Sequence, residues 1–246
     1  MQRVICITQA RMGSSRLPGK VLAPIQGKPM LEYHLARVHQ AKLVNSHILA
    51  TSDTEIDKPI VKFCQLKKQP FFCGSESDVL SRFYHAALQT KATPDDIIVR
   101  LTGDCPLISA TLIDEAITKH RQGDNSQYTH ISLNYFPRGF DVEVFSMASL
   151  TKAYQNATKA AEREHVTLYL YTQPDCIIVP VETGQLDWHE FRLCVDESED
   201  LQLATALIGL LGENWLNASP RKICQLLQQH PEIAQINAKI IQRAPH

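Results

Sequence analysis

A short apolar run, Val4 to Ile7, leads straight into the stretch Thr8-Gln9-Ala10-Arg11-Met12-Gly13-Ser14-Ser15-Arg16-Leu17-Pro18-Gly19-Lys20. The run reads as a buried first strand. A strand that opens into a Gly/Ser loop carrying two arginines and a lysine is a polyanion site. Small residues let backbone N–H groups turn toward phosphate oxygens, and the cations offset the phosphate charge. A Walker-type loop is excluded on two counts. Five residues separate Gly13 from Gly19 instead of four, and Val21 stands where that loop needs Ser or Thr for its metal. The residues predict a nucleoside triphosphate held in some other way; a basic surface loop without a ligand would use the same residue types.

The rest of the first half alternates strand and helix. Helical spacing covers about Met30–Ala41, with Leu31, Leu35 and Val38 on one face, and His47–Thr51 makes a second strand. A helix is expected around Glu55–Lys67, a strand at Phe71–Cys73, a helix from Asp78 to about Leu88 and a strand at Ile97–Leu101. Ser109 caps a helix running to about Arg121. This repetition predicts an α/β fold with a doubly wound, mostly parallel sheet and helices on both faces, a Rossmann-like architecture. In such sheets ligands bind outside the carboxyl ends of the strands, where the first loop and Asp104 fall. The second half changes rhythm. Strands are expected at Gln127–Leu133, Asp141–Phe145, Cys176–Val181 and Phe191–Val195, with one or two helices between Ser146 and Thr172. A helix follows from about Glu197 to Leu211, and another starts near Ser219-Pro220. No linker or repeat interrupts the chain, so a single domain over residues 1–246 is expected.

Bulk properties narrow the function. A formal net charge of −1 argues against a protein that coats nucleic acid. Met1-Gln2-Arg3 enters the first strand at once, and no apolar run approaches a membrane span. Seven scattered cysteines with no Cys-x-x-Cys pair suggest reduced thiols in the cytoplasm.

Further blocks carry chemistry. Leu101-Thr102-Gly103-Asp104-Cys105-Pro106-Leu107 sets a carboxylate at the end of a buried strand. A hard oxygen donor there suits Mg²⁺ chelated by substrate phosphates, although an aspartate closing a turn would satisfy the same pattern. Leu193 to Leu201 carries Asp196, Glu197, Glu199 and Asp200; the last three fit a helix N-terminus favoured by the macrodipole. Gly74-Ser75-Glu76-Ser77-Asp78 is a strand-to-helix turn whose small residues can present backbone groups to a base, or whose Ser77 can cap the helix. Phe136 to Phe145 and Glu162 to Thr167 hold the remaining dense charge.

Taken in order, these blocks closely resemble the acylneuraminate cytidylyltransferase family, in particular its SpsF-like branch. The matching stretches are Gln9–Lys20, Gly74–Arg82, Gly103–Leu107, Gly139–Phe145, Glu162–Thr167 and Val195–Leu201, where Ser198 replaces the usual proline. The resemblance implies a nucleotide-diphospho-sugar transferase fold and CMP transfer from CTP to a sugar acid or related sugar, with release of pyrophosphate. It implies nucleotide contacts from Gln9, Ala10, Arg11, Met12, Gly13, Ser14, Arg16, Lys20, Gly74, Ser75, Thr102 and Gly103, with Arg11, Lys20 and Asp104 catalytic. Asp104 and Asp196 are the implied Mg²⁺ ligands; Arg138, Asp141, Glu143, Arg163, Glu164 and His165 are the implied acceptor contacts. Residues 131–172 are the implied acceptor and dimer-contact region of a homodimer. Surface or coat polysaccharide synthesis is the implied setting. A glycosyltransferase or uridylyltransferase of the same fold and a non-catalytic nucleotide binder are the competing readings. The first lacks its usual Asp-x-Asp pair, because Asp104-Cys105-Pro106 stands there.

Overall fold

Neighbouring residues of the first strand, β1 (Val4–Gln9), belong to different cores: Val4 and Cys6 pack on one face of the sheet, Ile5 and Ile7 on the other. A strand buried on both sides needs helices on both faces. The computed structural model describes residues 2–124 and 126–241. Met1, placed by the sequence before the first strand, and the last residues of the expected 1–246 domain lie outside the described residues.

A small hairpin of β2 (Pro24–Ile25) and β3 (Lys28–Pro29) precedes helix α1 (Met30–Val38). Strand β4 (Ser46–Ser52), helix α2 (Lys58–Lys67) and strand β5 (Phe71–Gly74) follow, then helix α3 (Val79–Gln89), strand β6 (Ile97–Thr102) and helix α4 (Ala110–His120). β4 and β6 flank β1 in parallel, and β5 continues beyond β4. On the other side β7 (Gln127–Ile131), β8 (Glu143–Ser146) and β9 (Ile177–Val181) complete a seven-stranded sheet ordered β5-β4-β1-β6-β8-β7-β9. β8 runs antiparallel to both its neighbours, β6 and β7. Helices α3 and α5 (Met147–Asn156) pack on one face, while α1, α2, α4 and α8 (Ser198–Leu211) cover the other. Short α6 (Ala160–Glu164) and α7 (Leu168–Tyr171) make three helices where one or two were expected. The last helices among the described residues are α9 (Pro220–Gln229) and α10 (Pro231–Ala234).

Two local expectations fail. Phe191–Val195 is not a strand: only Arg192 makes a bridge, to Arg138. Its backbone is divided between two loops, with Leu193 N–H donating to Arg138 O at 2.7 Å and Val195 N–H to Asp104 O at 2.8 Å. A ladder needs one continuous partner. The cap of α3 is Asp78, which accepts from Ser81 N–H at 2.9 Å, and not Ser77.

Candidate active site

The carboxyl ends of β1 and β6 lie side by side, with Gln9 opposite Thr102. Chain connections leave β1 toward β4 on one side and reach β6 on the other, so a crevice opens between these ends. The first loop folds on itself there. Met12 O accepts from Ser14 N–H and Gly19 N–H, both at 2.9 Å, and Met12 N–H donates to Asp57 Oδ1 at 2.6 Å. Asp57 is buried and also accepts from Ser52 N–H and the hydroxyls of Thr51 and Ser52. Gly19 takes φ 72°, a left-handed conformation that costs glycine little. The following turn swings Lys20 inward until it is only 8 % exposed.

Lys20 Nζ donates to Asp104 Oδ2 at 3.0 Å, to Asp196 Oδ1 at 2.7 Å and to Val195 O at 2.7 Å. Burial disfavours the ammonium, but the two carboxylates outweigh it and raise its pKa. Burial likewise opposes ionisation of Asp104, and Lys20 outweighs it, holding that carboxyl at about 2. Asp196 is lowered in the same way, with Arg16 Nη2 also 3.0 Å from Oδ1 and Arg192 Nη2 2.5 Å from Oδ2. Arg192 Nε is in turn 3.0 Å from Asp200 Oδ1. Asp200 therefore does more than favour a helix dipole: it is buried, anchors Arg192 and accepts from the N–H groups of Asp196 and Glu197.

Two clefts meet at this cluster and share Arg100, Thr102, Asp104 and Asp196. The first, about 270 Å³, is lined by Gln9, Ala10, Arg11, Ser14, Arg16, Lys20 and Gly103 among the expected nucleotide residues. Met12, Gly13, Gly74 and Ser75 do not line it; Met12 braces the loop, and Ser75 O accepts from Arg82 Nη1 at 2.6 Å. Four buried side-chain atoms with no hydrogen-bond partner among the described residues belong to its walls: Gln9 Oε1, Arg82 Nε, Arg100 Nε and His165 Nε2. Unfilled hydrogen-bonding capacity is rare in a folded interior, so these groups are available to a partner that enters the cleft.

The second cleft, about 550 Å³, holds Arg138, Asp141 and Glu143. Asp141 Oδ2 accepts from Gly139 N–H at 2.6 Å. Gly139 has φ 108°, and a Cβ there would lie 2.6 Å from Cys194 N, so only glycine fits. Burial pushes the Asp141 carboxyl up, reinforced by the charges of Glu143 and Asp104. Burial acts on Glu143 too, yet Arg100 outweighs it and lowers the carboxyl. Glu143 accepts from Arg100, Tyr128 and, at 2.9 Å, Thr167. The other expected acceptor residues fall elsewhere. Glu164 and His165 line the first cleft, and Arg163 lines neither. Arg163 Nε donates to Asp78 Oδ2 at 3.0 Å and Nη1 to Tyr154 O at 2.8 Å, which ties α6 to α3 and α5.

The sequence profile of cytidylyltransferases matches residues 5–210. This chain belongs to the cytidylyltransferase family. The Bacillus subtilis spore coat polysaccharide biosynthesis protein SpsF is 34% identical, over 95% of this chain and 98% of its own. The 8-amino-3,8-dideoxy-manno-octulosonate cytidylyltransferase of Shewanella woodyi is 30% identical over 69% of this chain and 75% of its own. Among solved structures, a cytidylyltransferase from Leptospira borgpetersenii aligns with a TM-score of 0.88 at 27% identity, covering 99% of this chain and 100% of that one.

Three features of this cytidylyltransferase's site carry no local sequence signal. Arg100 and Glu143 pair across the antiparallel β6–β8 register, and Asp57 reaches the loop from a distant turn. His34, which reads as an ordinary helical residue, donates from Nδ1 to Cys105 O at 2.9 Å, leaving Nε2, 3.0 Å away, to accept from the Thr8 hydroxyl. Burial lowers its pKa to about 4, so the imidazole is neutral, consistent with that tautomer, and links the end of β1 to the Asp104 loop.

Proposed function

We propose that this cytidylyltransferase moves CMP from CTP to a hydroxyl of an acidic sugar, with release of pyrophosphate, in the synthesis of a surface or coat polysaccharide. The observation that carries the reading is the junction of two clefts at Asp104 and Asp196, one walled by the cationic loop and one by Arg138. The names of the Bacillus and Shewanella relatives point to the same class of product. Nucleotide in the first cleft and sugar in the second would place the attacking oxygen near the α-phosphorus. Catalysis then consists of positioning and charge stabilisation. Arg11, which is exposed, lines the first cleft together with Arg16 and Lys20; these three meet the β- and γ-phosphates. Arg138, 4.0 Å from its nearest carboxylate and 40% exposed, keeps guanidinium donors for the sugar's carboxylate.

The donor chemistry fits Mg²⁺: Asp104 and Asp196 are hard oxygen ligands that converge on one point, the Lys20 ammonium. Held there with phosphate oxygens, Mg²⁺ would neutralise charge on the triphosphate. No helix among the described residues is long and apolar enough to cross a membrane. The reading includes a reducing cytoplasm, supported by seven free cysteines. It also includes a homodimer, for which the edge strand β9 offers half-exposed Ile177 and Ile178.

Nucleotide selectivity tests the reading. With Mg²⁺, CTP is expected to raise the melting temperature most, UTP less, and ATP or GTP least, because a site that pairs with cytosine leaves its own polar groups unpaired against another base. Equal or greater stabilisation by UTP would move the function to uridylyl transfer or glycosyl transfer.

A further inference from the structure

Lys20 and a divalent cation need the same oxygens. The ammonium has three protons, and Asp104, Asp196 and Val195 O accept all of them at 2.7–3.0 Å. In this arrangement Lys20 has no donor to offer a phosphate, and Oδ2 of Asp104 and Oδ1 of Asp196 both face a cation. The side chain that would steady the departing pyrophosphate must therefore leave the carboxylates first.

We propose that Lys20 is the resident counter-cation of the metal site, closing Asp104 and Asp196 on itself and releasing them to Mg²⁺ only as nucleotide phosphates draw the ammonium away. The inference rests on the assignment of those two aspartates as metal ligands. The surroundings suit an exchange in which the two aspartate loops stay in place while Lys20, and Arg16 whose Nη2 lies 3.0 Å from the same Asp196 oxygen, swing toward the phosphates. Asp196 is fixed from its far oxygen by Arg192, which Asp200 anchors, and the loops of Asp104 and Asp196 are joined by Val195 N–H to Asp104 O at 2.8 Å. Lys20 carries its charge on a flexible four-carbon stem and can reorient without disturbing either loop. Its departure leaves two neighbouring carboxylates short of one positive charge, which favours entry of a cation. Arrival of the triphosphate supplies both the anion for Lys20 and the remaining oxygens for the metal. Metal and nucleotide thus bind together, and each is weak alone.

Mn²⁺ binding to nucleotide-free protein, followed by loss of the free-ion electron paramagnetic resonance signal, tests the exchange without any turnover. Lys20→Met and Lys20→Gln are expected to bind Mn²⁺ at least about tenfold more tightly than the wild type, since a competing charge in contact with both ligands is gone. Adding Asp104→Asn to Lys20→Met should erase the gain. Lys20→Gln retains a polar amide at the buried position and serves if Lys20→Met does not fold. Variants that bind Mn²⁺ no more tightly than the wild type would overturn the proposal. Failure of CTP to stabilise the wild type would count against the nucleotide reading instead and leave this comparison intact.

Discussion

Turnover at saturating CTP and Mg²⁺ is expected to fall roughly 10²- to 10³-fold in Lys20→Ala, about 3 kcal/mol in the barrier, the usual loss for one preorganised donor to developing charge. The protein should remain folded, because Arg16 and Arg192 still neutralise Asp196 when Lys20 is gone. Loss of the ammonium, which tightens metal binding in the free protein, should therefore slow the reaction. A purely structural lysine would not produce that opposition. Single-turnover rates with excess enzyme, measured beside thermal melts, separate the two effects. Near-normal turnover would remove Lys20 from the reaction.

The largest stability effect is expected far from the chemistry. Arg37 on α1 is 2 % exposed and donates from Nε to Ile108 O at 2.6 Å, from Nη2 to Ala218 O at 2.8 Å, and from Nη1 to Leu216 O at 3.1 Å and to Trp215 O. One guanidinium thus satisfies carbonyls from the loop after β6 and from the segment joining α8 to α9. Burial lowers its pKa to about 10, and these carbonyls are its compensation. Arg37→Ala should cost roughly 3–5 kcal/mol, since each buried carbonyl left unpaired costs about 1–3 kcal/mol and entering water recovers part. Urea denaturation measures the loss. A change under about 1 kcal/mol would mean that the clamp is dispensable.

Arg37 also marks the limit of what the chain declares locally. The doubly wound sheet was legible because its central strands are buried on both faces and its helices carry apolar residues at helical spacing; β1, β4 and β6 differ from expectation by a residue or two at their ends. Motifs mark the first loop, Asp104 and Asp196 in the sequence, and the fold brings both aspartates to Lys20 at the end of that loop. What escaped depends on distant partners. Apolar content at Phe191–Val195 looks like a strand, yet its hydrogen bonds go to two loops. Charge at Arg163 looks like a binding site, yet Asp78 and the Tyr154 carbonyl take it up. Glu143 looks free for a sugar, yet Arg100, Tyr128 and Thr167 occupy it. Charge density in a sequence locates a site's neighbourhood, and the pairing shows which of those charges are already committed before a ligand arrives.

Cytidylyl transfer itself is tested most directly by following the α-phosphate. Protein, Mg²⁺ and CTP labelled at that phosphate are incubated with a panel of acidic sugars, and products are separated and weighed. Label is expected in a CMP-linked sugar, with one pyrophosphate released for each product and no transfer when the sugar is omitted. Label that stays in CTP with every sugar, or that appears only as free CMP or CDP, would contradict it.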